Sequence, residues 1–206
     1  MKVKLLKVTQ KLIDNYEALL EELPFDRREK TEKIKNNEKY RSLAAGLLLS
    51  CCMKEYGLDH KKCTLKYGEN GKPYIENSDF HFNLSHSGDY AVIVYGDREC
   101  GIDIQCRKAG VNRVANRYFT EKEIEYIAKN EDAFFDIWAC KESYLKAIGK
   151  GLTKRLDSFE CVPVGGVALV GEYKIKVQRF EGYSVAVCLK GEVFDGEIKG
   201  DCDADF

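Results

Sequence analysis

The sequence predicts an α+β protein made of two similar lobes, each an antiparallel sheet packed with helices. Short strands of period two recur in both halves, among them Tyr90–Tyr95 and Tyr183–Cys188. A long helical segment precedes each by a similar distance, Arg41–Tyr56 and Phe134–Ile148. The strands also echo one another. Gly-Asp-Tyr-Ala-Val-Ile-Val-Tyr (88–95) aligns with Glu-Gly-Tyr-Ser-Val-Ala-Val-Cys (181–188), setting Tyr90 on Tyr183, Val92 on Val185 and Val94 on Val187. Short β segments match by chance, so it is strands and helices together that argue a duplication. Two copies around a pseudo-two-fold axis would leave a ligand cleft between them. The lobes are expected at 1–102 and 103–206.

The chain has 206 residues, 44% of them hydrophobic, which allows a substantial core. Its net charge of −1 gives no global field toward nucleic acid or membrane, and neither is expected as a partner. Anion binding must then be local. The apolar run Leu43–Met53 is too short to span a bilayer. Nine cysteines form no Cys-x-x-Cys pair and only three histidines accompany them, so zinc is not expected. The cysteines read as reduced, mostly buried thiols of a cytoplasmic protein, and the N-terminus lacks a signal peptide's apolar core.

In order, Met1–Val8 alternates as a strand. Leu12, Ile13, Tyr16, Leu19, Leu20 and Leu23 make a helical stripe ending at Pro24. Phe25–Arg41 is rich in Arg and Lys mixed with acids, which reads as a solvated face. Arg41–Tyr56 is a buried helix stopped by Gly57. Thr64–Tyr67 and Lys72–Ile75 flank Gly-Glu-Asn-Gly, a hairpin turn. Phe80–Leu84 leads into a turn at Ser85-His86-Ser87-Gly88, followed by strands Tyr90–Tyr95 and Cys100–Gln105. A basic, acid-free segment (107–118) carries Arg107, Arg113 and Arg117 between the lobes. Thr120 and Glu123 form a capping box. Residues 192–206, acidic and with little to bury, read as a frayed tail.

Two stretches hold the chemistry. On the Phe134–Ile148 helix, Lys141 falls inside the apolar arc, which implies a buried ammonium with a fixed acceptor, either a carboxylate or a ligand phosphate. Glu142 and Lys146 are four apart on one edge, as a surface pair or a site would be. In Gly101-Ile102-Asp103-Ile104-Gln105, Asp103 and Gln105 share one strand face and the isoleucines the other. Ser85-His86 lacks a nucleophile elbow, so a ligand-binding turn is favoured over a triad.

Phe-Asn-Leu-Ser-His-Ser (82–87), Gly-Ile-Asp-Ile-Gln (101–105) and Trp-x-x-Lys-Glu-Ser-x-x-Lys-x-x-Gly-x-Gly-Leu (138–152) occur in an order and spacing that resembles the 4′-phosphopantetheinyl transferases. The type resembled is the large, two-lobed one, like the surfactin-synthetase activator. Gly-Lys-Pro (71–73) and Arg-Glu-Lys (28–30) also fit, and the likeness spans roughly residues 25 to 190.

The resemblance implies the phosphopantetheinyl transferase fold, and transfer of 4′-phosphopantetheine from coenzyme A to a carrier-protein serine with release of 3′,5′-ADP. It implies Mg²⁺, with Mn²⁺ as a substitute, held by Asp103, Gln105 and Glu142. Asp103, Glu142 and Lys146 would be catalytic: Glu142 as general base, Lys146 at the diphosphate. Arg27, Lys30, Arg41, Lys72, Ser85, His86 and Lys146 fall where the family contacts coenzyme A. Many relatives carry Glu where this chain has Gln105, which puts the metal preference in question. An acyl or peptidyl carrier protein is the expected partner, docking near Arg107, Arg113 and Arg117, and a monomer is expected. A non-catalytic coenzyme A or carrier-binding homologue and a coenzyme A diphosphate hydrolase are the rival readings.

Overall fold

The alternation at the N-terminus becomes β1 (Lys2–Lys7), with Leu5 fully buried. This computed structural model describes residues 1–108, 112–129 and 132–198. The stripe from Leu12 to Leu23 forms two helices, α1 (Gln10–Asp14) and α2 (Tyr16–Leu20). Asn15 divides them. Its side-chain amide donates to Lys11 O at 2.8 Å and its backbone N–H at 3.2 Å, closing the first helix early. α3 (Phe25–Glu32) follows Pro24, and α4 (Glu38–Glu55) follows a turn. Every residue of α4 from Ser42 to Ser50 is buried. A helix apolar on all sides must be covered on all sides. Here α1, α2 and α3 cover one side and a sheet the other. The short hairpin of β2 (Leu65–Tyr67) and β3 (Pro73–Ile75) turns at 68–71, where Gly71 takes φ +81°. β4 (His81–Ser87) and β5 (Tyr90–Gly96) complete a sheet ordered β1-β5-β4.

The second lobe begins with β6 (Cys100–Cys106). It continues through α5 (Asn112–Tyr118), α6 (Glu121–Lys129) and α7 (Ala133–Ala147) to β7 (Val167–Val170), β8 (Tyr173–Phe180) and β9 (Tyr183–Lys190). Its antiparallel sheet is ordered β6-β9-β8-β7. The capping box of α6 forms as read: Glu123 N–H donates to Thr120 Oγ1 at 3.4 Å and Thr120 N–H to Glu123 Oε2 at 2.8 Å.

The duplication is visible in the connectivity. A first strand (β1, β6), a long helix (α4, α7) and a hairpin (β4–β5, β8–β9) recur, and the second hairpin strand lies central in each sheet. Tyr90, Val92, Val94 and Tyr183, Val185, Val187 all fall in one buried cluster with Leu5, Ile102 and Ile104. The residues that echo in the sequence thus form the core between the lobes. The two tyrosines pack edge to face at 5.1 Å and reach each other's hairpin turn. Tyr183 Oη accepts from Asp89 N–H at 3.0 Å, and Tyr90 Oη donates to Glu181 Oε2 at 2.6 Å. Gly88 has φ +54°, and a Cβ there would lie 2.3 Å from Tyr183 Oη.

Four expectations change. The basic segment 107–118, expected as a loop between the lobes, follows β6 within the second lobe, and its residues Asn112–Tyr118 form α5. The lobe division at 102/103 falls inside β6, whose pairing with β9 runs from Cys100 to Cys106, so the change of sheet lies before Cys100. Ser85 to Ser87 are strand, paired with β5, and not a turn. Residues 192–198 are packed rather than frayed. Phe194 is buried, and Ile198 N–H donates to Gln178 Oε1 at 3.0 Å. Residues 199–206 of that predicted tail lie outside the described residues. Among the described residues Cys63, Cys100, Cys106, Cys140, Cys161 and Cys188 are thiols outside any disulfide, and no helix is long and apolar enough to cross a membrane.

Candidate active site

α7 lies against β6 because position 101 is glycine. A Cβ on Gly101 would sit 2.0 Å from Ser143 O and 2.5 Å from Ala147 N, both main-chain atoms of the helix. Asp103 and Gln105 continue along the same strand face. The close crossing therefore brings Asp103 to Lys146. Asp103 is only 3% exposed and accepts three hydrogen bonds. Its Oδ1 takes Lys146 Nζ at 2.6 Å and Ser85 Oγ at 2.8 Å, and its Oδ2 takes Gln105 Nε2 at 2.7 Å. Lys146 Nζ also donates to Ser85 Oγ at 2.9 Å and Ile102 O at 3.2 Å. Glu142 stands one helical turn before Lys146. Burial, and then the charge of Asp103, push its carboxyl up to about 7, with Lys146 opposing.

A cavity of about 410 Å³ opens on this centre from the other lobe. Arg27, Lys30, Ser42 and His86 line one side, and Asp103, Gln105 and Lys146 the other. Asp103 is the one acid among the described lining residues. Arg27 is 7% exposed, donates to Ser42 O at 3.3 Å, and keeps a buried Nε with no hydrogen-bond partner. Burial lowers its pKa, and burial and Arg27 together lower that of Lys30. His86, at the lip, is lowered by partial burial against the wall and then by Arg41, Lys146 and Arg27. Crowded cations with an unused buried donor are a strong anion-binding wall.

Of the candidate residues, the cavity gathers Arg27, Lys30, Ser85, His86, Asp103, Gln105 and Lys146, and Glu142 adjoins it. Lys72 does not line it. Its ammonium caps the end of α7 instead, donating to Ala147 O at 2.9 Å and Cys100 O at 3.0 Å. Arg41 is also off the wall. It meets Glu38 Oε1 at 3.3 Å, and its buried Nε has no hydrogen-bond partner. Ser42, Asn83 and Ser87 line the cavity without having been singled out.

Among the described residues no cluster of three or more His, Cys, Asp or Glu side chains could hold a metal ion. The set at hand is two carboxyls and an amide. It does not suit a cation caged by protein alone. It does fit a hard divalent ion completed by water and phosphate, and the pressure of Asp103 on Glu142 is what such a charge relieves.

A sequence profile described as 4′-phosphopantetheinyl transferase superfamily matches residues 99–188. A second, described as 4′-phosphopantetheinyl transferase, N-terminal, matches 12–97. The chain belongs to the 4′-phosphopantetheinyl transferase superfamily. The two profiles meet at the change of sheet before β6. A 4′-phosphopantetheinyl transferase of Bacillus subtilis is 38% identical over 142 residues, covering 65% of this chain and 63% of the relative. The transferase Sfp of Bacillus subtilis strain 168 is 35% identical over the same shares. The transferase ffp of Bacillus subtilis is 29% identical over 195 residues, 84% of each chain. This chain thus spans just under two thirds of the length of the first two.

Lys141, next to Glu142 on α7, is fully buried and faces away from the cavity. Its ammonium pairs with Glu123 Oε1 at 2.8 Å and donates to Leu156 O and Phe159 O, each at 2.6 Å. Glu123 Oε1 also accepts from Cys161 N–H at 2.6 Å. The acceptor left open by the sequence is a carboxylate.

Proposed function

We propose that this protein transfers 4′-phosphopantetheine from coenzyme A to a serine of an acyl or peptidyl carrier protein, with Mg²⁺, releasing 3′,5′-ADP. The observation that carries the reading is the cation-walled cavity between the lobes, ending at Asp103, Glu142 and Lys146. Arg27, Lys30 and His86 suit the phosphate-rich nucleotide end of coenzyme A. Lys146 suits the diphosphate, where charge builds on the leaving oxygen. The carrier serine oxygen forms the new bond to the pantetheine-bearing phosphorus, and the diphosphate bridge breaks. The serine proton passes to Glu142, whose carboxyl, raised to about 7, is matched to accepting it. A divalent cation held by Asp103, Glu142 and the amide oxygen of Gln105 would supply charge neutralisation at the diphosphate. One chain furnishes both walls, so a monomer suffices.

The test is the intact mass of a carrier protein incubated with coenzyme A and Mg²⁺. The expected result is a gain of one phosphopantetheine. Free phosphopantetheine without modified carrier would point to a hydrolase, and bound but unchanged coenzyme A to a binding protein. Glu142→Gln should fold normally and lose transfer by roughly 10²–10⁴-fold, the usual loss on removing a general base. Near-normal transfer by that variant would falsify the role of Glu142.

A further inference from the structure

The edge of β6 that faces away from β9 has no backbone partner strand among the described residues. Its alternate N–H groups point toward the first lobe. Three side chains of β4 meet them in register. Ile102 N–H donates to Asn83 Oδ1 at 2.9 Å, Ile104 N–H to Ser85 Oγ at 3.4 Å, and Cys106 N–H to Ser87 Oγ at 3.0 Å. Residues 83, 85 and 87 share one strand face, so the edge of β6 lies along a row of acceptors. Side chains stand in for a backbone ladder between the lobes, and the buried amides of β6 are satisfied by them.

Ser85 shows what the row sets. The same hydroxyl that receives Ile104 N–H also receives Lys146 and donates to Asp103. A slip of two residues along the row would move Asp103 and Lys146 off Ser85 and away from the Arg27 wall. We infer that Asn83 and Ser87 are positioning residues. They fix the inter-lobe register that places Asp103, Gln105 and Lys146 against the anion-binding wall, and they do so without touching the reacting atoms. This rests on the transfer reading above.

The experiment compares Asn83→Ala, Ser87→Ala and Ser87→Thr with the unaltered chain. Carrier modification gives kcat and the KM for coenzyme A, and amide hydrogen exchange is followed at residues 102–106. In both alanine variants kcat should fall by about tenfold or more, because small misplacements of reacting groups are costly. The KM for coenzyme A should stay within about twofold, since the cationic wall is intact. Exchange at 102–106 should quicken, and Ser87→Thr, which keeps the hydroxyl, should restore both rate and protection. Unchanged kcat in the alanine variants overturns the positioning role, as does an equal loss in Ser87→Thr. Unchanged exchange overturns the seam itself. An inactive unaltered chain overturns the transfer reading and the positioning role with it, a result distinct from failure of the seam.

Discussion

Gln105 holds Asp103 by a hydrogen bond that a carboxylate could not make. Its Nε2 donates to Asp103 Oδ2 at 2.7 Å, the third donor on a nearly buried carboxylate. Replacement by Glu removes a donor and sets two like charges together, with Glu142 beside them. Without a divalent ion, Gln105→Glu should destabilise the protein by about 1–3 kcal/mol, the scale for losing a partner of a buried polar group. A divalent ion between the carboxylates reverses the sign of that interaction. Added Mg²⁺ should therefore recover the loss, and at lower concentration than it affects the unaltered chain. Thermal melts in EDTA and across a Mg²⁺ series test this. Superimposable melts for the two proteins would mean that residue 105 does not feel Asp103. That Asp103 and Gln105 share a strand face, and Glu142 and Lys146 an edge of one helix, was legible from periods of two and four; that Lys146 bonds Asp103 was not. The acceptors of Lys72 were not, because they are carbonyls 28 and 75 residues away. No local pattern encodes such contacts. The row of Asn83, Ser85 and Ser87 was hidden for the same reason: its partners are amides of another lobe.

At the scale of elements, α7 is held from behind by the Lys141–Glu123 pair. The position of Lys141 in an apolar arc revealed a buried ammonium, and the capping box revealed Glu123. Nothing in the sequence linked them, since the join depends on how α6 packs on α7. With Glu123 as its partner, Lys141→Met should be destabilising. Removing the ammonium alone leaves a fully buried carboxylate, which typically costs about 3–5 kcal/mol. Replacing both partners with apolar residues removes the uncompensated charge. Lys141→Met with Glu123→Leu should therefore recover much of the loss, short of the capping bond from Thr120 N–H and the bond from Cys161 N–H that Glu123 also accepts. Urea denaturation of the single and double variants measures the difference. Equal stability of Lys141→Met and the unaltered chain would show that the pair contributes nothing.

The whole molecule has a net charge of −1, so electrostatic docking of the proposed carrier protein would have to come from one face. The segment from Arg107 to Arg117 was read as that face, and the structure divides it. Arg107 is committed within the chain: it bonds Asp132 at 3.1 Å, and Asp132 also meets Arg179 at 3.6 Å. Arg179 in turn grips Asp136 of α7. Arg107 thus ties the start of the segment to the helix that carries Glu142. The side chain of Arg113 lies outside the described residues. Arg117 is exposed, its guanidinium over Tyr118 at 5.3 Å, and so faces solvent where a partner can meet it. Arg117→Glu, alone or with Arg113→Glu, should raise the KM for the carrier severalfold, on the scale of a rim charge pair. The KM for coenzyme A should not move, because the cationic wall of the cavity is built from Arg27 and Lys30 on the other lobe. The carrier KM of the unaltered chain should rise between low and physiological salt as the Debye length shortens toward about 8 Å. That slope should flatten in the Glu variants, whose attraction is already gone. Steady-state rates with each substrate varied in turn, at two salt concentrations, make the comparison. Equal effects on both substrates would place Arg117 at the nucleotide or in the fold, and would remove it from carrier docking.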